Sequence, residues 1–263
     1  MVCLGDSFTE GMADVLRADG HHVGWSDRVA LGLARADLPA LPAPIAYANL
    51  AVRGKLLDQV VAEQLPAAMT MRPDLVTFHA GANDVLRPGV DRPALMGRYE
   101  AAVEQLVATG ARVVLFTSLT RAGGSGRFAD RLEERFLAFN RTIRVIADRL
   151  GCTLVDDEAV LALTDRRFWA VDRLHLNALG HARVAANVLA SLGVTDEAVL
   201  GGPPGWWAEP LPPPDPVTRR EALATDAEWV RAHLVPWVGR RVRGVSSGDG
   251  RDPKDPVLRT IVR

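Results

Sequence analysis

The stretch ADRLEERFLAFNRTIRVIADRLGCTLV, residues 129–155, contains two different hydrophobic periods. Leu132, Phe136, Phe139, Ile143 and Ile146 recur at steps of three and four, which puts them on one face of a helix from Ala129 to Leu150. Thr153–Val155 is a short run with β-branched residues and reads as a strand. The same two patterns continue outward on both sides. Arg112–Thr117, Leu75–His79, Ile45–Leu50 and Val2–Leu4 read as strands, each followed by a turn signal. Trp25–Ala36, Leu56–Met71, Arg92–Thr109 and Ala178–Leu192 read as helices. Strand–helix alternation over about 190 residues predicts an α/β fold with about five parallel strands, covered by helices on both faces as three layers, α/β/α.

The chain has 263 residues, 48% of them hydrophobic and 24% charged, an ordinary globular composition that excludes disorder for most of its length. A formal charge of −1 gives no global field for nucleic acid or an anionic membrane. No run of about 18 apolar residues occurs, so no stable membrane insertion is expected. MVCLGDS at the start has no basic region followed by an apolar stretch, so no signal peptide is expected and a cytoplasmic location is. Cys3 and Cys152 suit buried apolar positions better than a disulfide framework.

Composition changes after Gly193. GGPPGWWAEPLPPPDP, residues 201–216, cannot be regular helix or strand because proline removes donors and fixes φ. A helical pattern follows from Thr218 to about Arg240, and the last 20 residues are rich in Gly, Asp and Arg and are expected to be mobile. Residues 217–263 carry ten basic and six acidic side chains, whereas residues 1–216 carry 21 and 26. The expected organisation is a body over residues 1–200 and a Pro-rich linker with a helical extension over 201–263. A lone amphipathic helix is marginal in water, so the extension is expected to dock on the body.

Four turns could carry chemistry. Gly5-Asp6-Ser7 leaves the first strand, where an open parallel sheet gathers its binding groups, and can present a serine hydroxyl. Asp172 and His175 are three residues apart; the carboxylate can hold one ring nitrogen and leave the other as a base. Asn83, in Gly81-Ala82-Asn83-Asp84 after the third strand, can donate to an oxyanion, and so can the backbone amide at Gly54 after the second. Each alone is also an ordinary turn or helix cap. Together they supply a nucleophile, a base with its orienting acid, and oxyanion donors, which is the parts list for acyl transfer through a covalent intermediate.

GDSFTEG at 5–11, NLAVRG at 49–54, GANDVL at 81–86 and DRLHLNALGH at 172–181 resemble, in order and spacing, the four blocks of the SGNH or GDSL hydrolases. The resemblance covers about residues 1–192 and implies a flavodoxin-like SGNH hydrolase fold. It implies Ser7 as nucleophile, His175 as base and Asp172 as its partner. It also implies an oxyanion hole made of the amides of Ser7 and Gly54 and the side chain of Asn83. The expected activity is hydrolysis of a small-molecule acyl ester without a cofactor or metal. Acyl transfer or thioester cleavage would use the same residues, and a binding module without turnover fits poorly with an intact set. A nucleotide-binding reading lacks a phosphate-cradling GxGxxG or Walker loop.

Other residues read more simply. Asp6 is expected to shape the turn as a hydrogen-bond acceptor, and His181 to bind backbone or body side chains. His21 and His22 have no third ligand at useful spacing for zinc. LTRAGGSGRF at 119–128, with Gly123, Gly124 and Gly126, follows the fourth strand and is expected to border the pocket as a flap.

Overall fold

The structure, a computed structural model, describes residues 1–36, 38–39, 44–119 and 127–262. Residues 120–126, most of the loop read above as a flap, lie outside the described residues. Among the described residues six strands form one sheet: β1 (Val2–Gly5), β2 (Ala46–Asn49), β3 (Leu75–His79), β4 (Arg112–Phe116), β5 (Thr153–Val155) and β6 (Asp255–Thr260). Their order is β5-β4-β3-β1-β2-β6. The first five pair in parallel, with Val2 opposite both Ala48 and Val76, and Gly5 opposite His79. The winding direction reverses between β1 and β3, so the turns that leave these two strands open into one crevice.

Side chains on each strand alternate between two cores. Val2, Leu4, Val113 and Leu115 pack with helices α2 (57–70), α3 (Arg92–Ala108) and α4 (Arg127–Arg149), where Phe136, Phe139, Ile143 and Ile146 are buried as their spacing predicts. Cys3, Val114 and Phe116 pack on the opposite face with α1 (Gly24–Arg35) and α5 (Ala178–Ser191). These two helices approach so closely that a Cβ on Gly32 would lie 2.7 Å from Leu189. Burial pushes the Cys3 thiol up to about 12, which leaves it an inert filler of this core.

Helix α2 contains one π turn, Val60–Gln64. Gln64, at its end, is buried and clasps the exit of β1: its Oε1 accepts from Gly5 N at 2.8 Å and its Nε2 donates to Gly5 O at 2.9 Å.

The Pro-rich stretch is held against α5 by one buried arginine. Arg183 Nη1 donates to the carbonyls of Trp206, Trp207 and Glu209 at 3.2, 2.7 and 2.6 Å, and its guanidinium lies 4.4 Å over the Phe168 ring. Beyond it runs α6 (219–242), opened by a capping box between Thr218 and Glu221. The end of the chain, expected above to be mobile, returns to the sheet. Strand β6 adds antiparallel to β2, with Ala46 opposite Thr260 and Tyr47 opposite Arg259. Pro256 is compatible with this position because an edge strand has one unpaired side.

Lys254 enters the body just ahead of β6. Its side chain is 0% exposed, and Nζ donates to His22 O at 2.9 Å, Val23 O at 2.6 Å and Asp27 Oδ2 at 2.5 Å. Burial pushes the Asp27 carboxyl up, and the Lys254 ammonium opposes that rise. Lys254→Met would leave a buried carboxylate and two carbonyls without this donor. It is expected to destabilise the fold by about 3 kcal/mol in urea unfolding. A loss below about 1 kcal/mol would mean that Arg17 and Arg259, 3.6 and 3.7 Å from Asp27, take over the charge.

Candidate active site

Ser7 opens the single helical turn Ser7–Glu10 directly after β1. Asp6 caps this turn, its Oδ1 accepting from Phe8 N at 3.1 Å. Gly5 makes the sharp exit possible. Its φ is +154°, and a Cβ there would lie 2.5 Å from the His79 carbonyl and 2.6 Å from Thr9 Oγ1. The turn therefore lies close against β3.

The loop after β2 is fastened to this turn by Glu10. This buried carboxylate accepts from Arg53 N at 2.6 Å and from Arg53 Nε at 2.8 Å, and also pairs with Arg53 Nη2. The next residue is Gly54, at φ +75°. Asn49, fully buried, accepts from Ala51 N at 3.0 Å and donates to Thr9 O at 2.8 Å, a second tie between the same two loops.

Asn83 lies in the short helix Ala82–Val85 that follows β3. Its Nδ2 donates to Asp6 Oδ2 and to Lys55 O, both at 3.1 Å. One amide thus links the turns that carry Ser7, Gly54 and Asn83. Next to it Asp84 accepts from Leu57 N at 2.9 Å, which fixes the start of α2 against the same turn.

Asp172 and His175 stand in the loop ahead of α5. His175 Nδ1 is 2.6 Å from Asp172 Oδ2, while Asp172 Oδ1 accepts from the amides of Leu174 and His175 at 3.0 and 3.1 Å. Arg173 completes the turn at φ +59°, an uncommon backbone region for a residue with a Cβ. Burial works against ionisation of Asp172. The His175 contact and the two amides outweigh it and hold the carboxyl at about 2, so it is an anion at neutral pH.

The start of α5, which follows this loop, is anchored to the chain just past the Ser7 turn. His181 Nε2 lies 3.0 Å from Met12 O, and burial pushes that imidazole down to about 4, so it stays neutral and donates. Leu176, beside His175, lies in the buried cluster against which Phe8, beside Ser7, also packs. Of the five residues singled out from sequence, Ser7, Gly54 and Asn83 lie in three turns that leave β1, β2 and β3 and are joined through Asn83, while Asp172 and His175 pair with each other in the loop ahead of α5. Asp6 and His181 hold the structural positions expected of them. Glu10 and Gln64, which fix the loops around the site, carry no signal that sequence reading detected.

Among the described residues no group of three or more His, Cys, Asp or Glu is arranged to hold a metal ion. No described helix is long and apolar enough to cross a membrane.

A serine turn leaves β1 at the switch point of the sheet, and an Asp–His pair stands in the loop ahead of α5. Residues 3–183 match the GDSL-like Lipase/Acylhydrolase family, and the chain belongs to it. It is a carboxylic ester hydrolase of that family. Solved structures with the same fold include that of TesA, 22% identical over 73% of this chain and 97% of that chain, with a TM-score of 0.57. The acetylxylan esterase Axe2 from Geobacillus stearothermophilus is 22% identical over 73% of this chain and 93% of its own, with a TM-score of 0.56. The acetyl xylan esterase AlAXEase is 20% identical over 73% and 98%, with a TM-score of 0.58. A search of curated proteins finds no match. Residues 184–263 lie outside the family match.

Proposed function

We propose that Ser7 Oγ attacks the carbonyl carbon of an acyl ester while His175 Nε2 takes its proton. Asp172 accepts from Nδ1, keeps the imidazole in the tautomer that leaves Nε2 free, and steadies the imidazolium. The amides of Ser7 and Gly54 and the Asn83 side chain receive the negative oxygen of the tetrahedral intermediate. The imidazolium then returns its proton to the leaving alcohol, which departs and leaves the acyl group on Ser7. Water repeats the sequence: His175 takes its proton, the acid leaves, and Ser7 regains its hydrogen. No resident metal or cofactor is needed for any of these steps.

The observation that carries this reading is the 2.6 Å Asp172–His175 contact, in the loop just ahead of α5, whose His181 bonds Met12 just past the turn that bears Ser7. Hydrolysis of p-nitrophenyl esters of graded chain length tests it and reads the acyl size at the same time. Absence of turnover at every chain length would refute it.

The Asn83 amide already spans Asp6 and Lys55, so the developing oxyanion must share or replace one of these hydrogen bonds. Stabilisation is then gained mainly in the transition state. Asn83→Ala is expected to lower kcat by roughly 10²- to 10³-fold with little change in KM. A raised KM with unchanged kcat would make Asn83 a substrate-binding residue instead.

A further inference from the structure

The segment beyond the family match touches the candidate site at both of its ends. Trp229, on α6, donates from Nε1 to the main-chain carbonyl of Asp172 at 2.9 Å. The Arg173 guanidinium lies 4.8 Å from the centre of the Trp229 ring and pairs with Asp226, one turn earlier on the same helix, at 2.6 Å. Further along, the turn that begins at Ser246 covers the loop of Gly54. A Cβ on Gly54 would collide with Ser246 Oγ, and a Cβ on Gly248 would collide with the Arg53 carbonyl. Lys254 and β6 then tie the end of the segment to the body.

The Trp229 contact falls on the Asp172–Arg173 peptide, whose N–H already donates to Ala170 O at 3.0 Å. The carboxylate of Asp172 reaches Nδ1 of His175 only while the peptide between Asp172 and Arg173 keeps its plane, and Arg173 sits at φ +59°. Nothing in the Asp172 side chain holds that peptide, since its oxygens bond the amides of Leu174 and His175 and the imidazole. The Trp229 N–H bonds the carbonyl of this same peptide. Asp226 and the Trp229 ring together hold the Arg173 side chain on its other side.

We propose that Trp229 and Asp226 are positioning residues of the hydrolase. Helix α6 acts as a buckle that fixes the Asp172–Arg173 peptide and thereby aims the carboxylate at His175. The inference rests on the assignment of Asp172 and His175 as the acid–base pair. It gives residues 201–263 a catalytic purpose, although they contribute no group to the chemistry. A buckle of this kind affects the geometry of proton transfer and leaves acyl binding alone, so its loss is read in kcat and not in KM.

The test uses the full-length chain with p-nitrophenyl esters and a fluorophosphonate probe. Trp229→Phe keeps the ring over Arg173 and removes only the N–H. It is expected to lower kcat, and the rate of labelling at Ser7, by about threefold to tenfold, the effect of one neutral hydrogen bond, with KM unchanged. Asp226→Asn, at an exposed position that does not threaten folding, is expected to lower kcat by roughly twofold to fivefold. Asp226→Glu should restore most of that loss. If Trp229→Phe and Asp226→Asn both match the unsubstituted protein in kcat, or if they raise KM and leave kcat unchanged, the buckle is overturned while the hydrolase reading stands. If the unsubstituted protein neither turns over esters nor labels at Ser7, the proposed function falls and this inference falls with it.

Discussion

Replacing Ser7 with alanine is expected to lower kcat by about 10⁴- to 10⁶-fold and to abolish fluorophosphonate labelling. The structure contains a second serine–imidazole–carboxylate series against which this can be judged. Ser118 Oγ lies 3.3 Å from His79 Nε2, and His79 Nδ1 lies 3.8 Å from Asp6 Oδ1. Ser118 follows β4, so this series also borders the carboxyl ends of the strands. Its geometry is unsuited to attack. Ser118 and His79 are both buried, the ring packs 4.5 Å from Phe8, and the main chain of Ser118 is clasped by Asn140 at N and O, at 2.8 and 2.7 Å. Asp6 is meanwhile committed to capping the Ser7 turn and to Asn83. Ser7 is half-buried at the tip of its turn, beside the groups that can receive an oxyanion. The labelled peptide after proteolysis should therefore carry Ser7. Labelling of Ser118, with Ser7→Ala still active, would reverse the assignment.

The parts of this molecule that were legible in the sequence share one property: their information is local. Helix α4 announces itself because Phe136, Phe139, Ile143 and Ile146 repeat at helical steps and are buried together. The turns of Ser7, Gly54 and Asn83 are legible because each follows a short apolar strand, and the Asp172–His175 turn because it stands just ahead of the last helix of the body. What was not legible depends on partners far apart in the chain. Glu10 and Arg53 are 43 positions apart, and neither has a pattern that names the other. Lys254 stands in a polar stretch that reads as solvated, yet it is fully buried because Asp27 and two carbonyls receive it 227 or more positions away. Strand β6 contains a proline, lacks an apolar alternation and is largely exposed, and it is ordered by β2, whose free edge no local signal reveals. The π turn in α2 likewise has no sequence period, since its use is to bring Gln64 to Gly5.

Asp172→Asn is expected to lower kcat by about 10³- to 10⁴-fold, less than the loss of Ser7. Asparagine has nearly the same shape, and its oxygen can still accept from Leu174 and His175, so the turn should persist. What changes is the group facing Nδ1. An amide nitrogen there donates where the carboxylate accepts, which favours the tautomer with hydrogen on Nε2 and removes the base. Stability should respond in a defined pH window. The folded carboxyl sits at about 2, below the ordinary value of 3.8, so its contribution is complete above the ordinary value and is lost as pH falls from there toward 2. At neutral pH the substitution should therefore cost about 1–2 kcal/mol, and the difference from the unsubstituted protein should shrink in acid. With Ser7, His175 and Asp172 acting in one step, as proposed, their losses should not add: Ser7→Ala with Asp172→Asn should be no slower than Ser7→Ala alone. Activity of Asp172→Asn equal to that of the unsubstituted enzyme would reduce Asp172 to a cap of its own turn. It would also leave His175 without an orienting partner, and the buckle formed by Trp229 would then have nothing to aim.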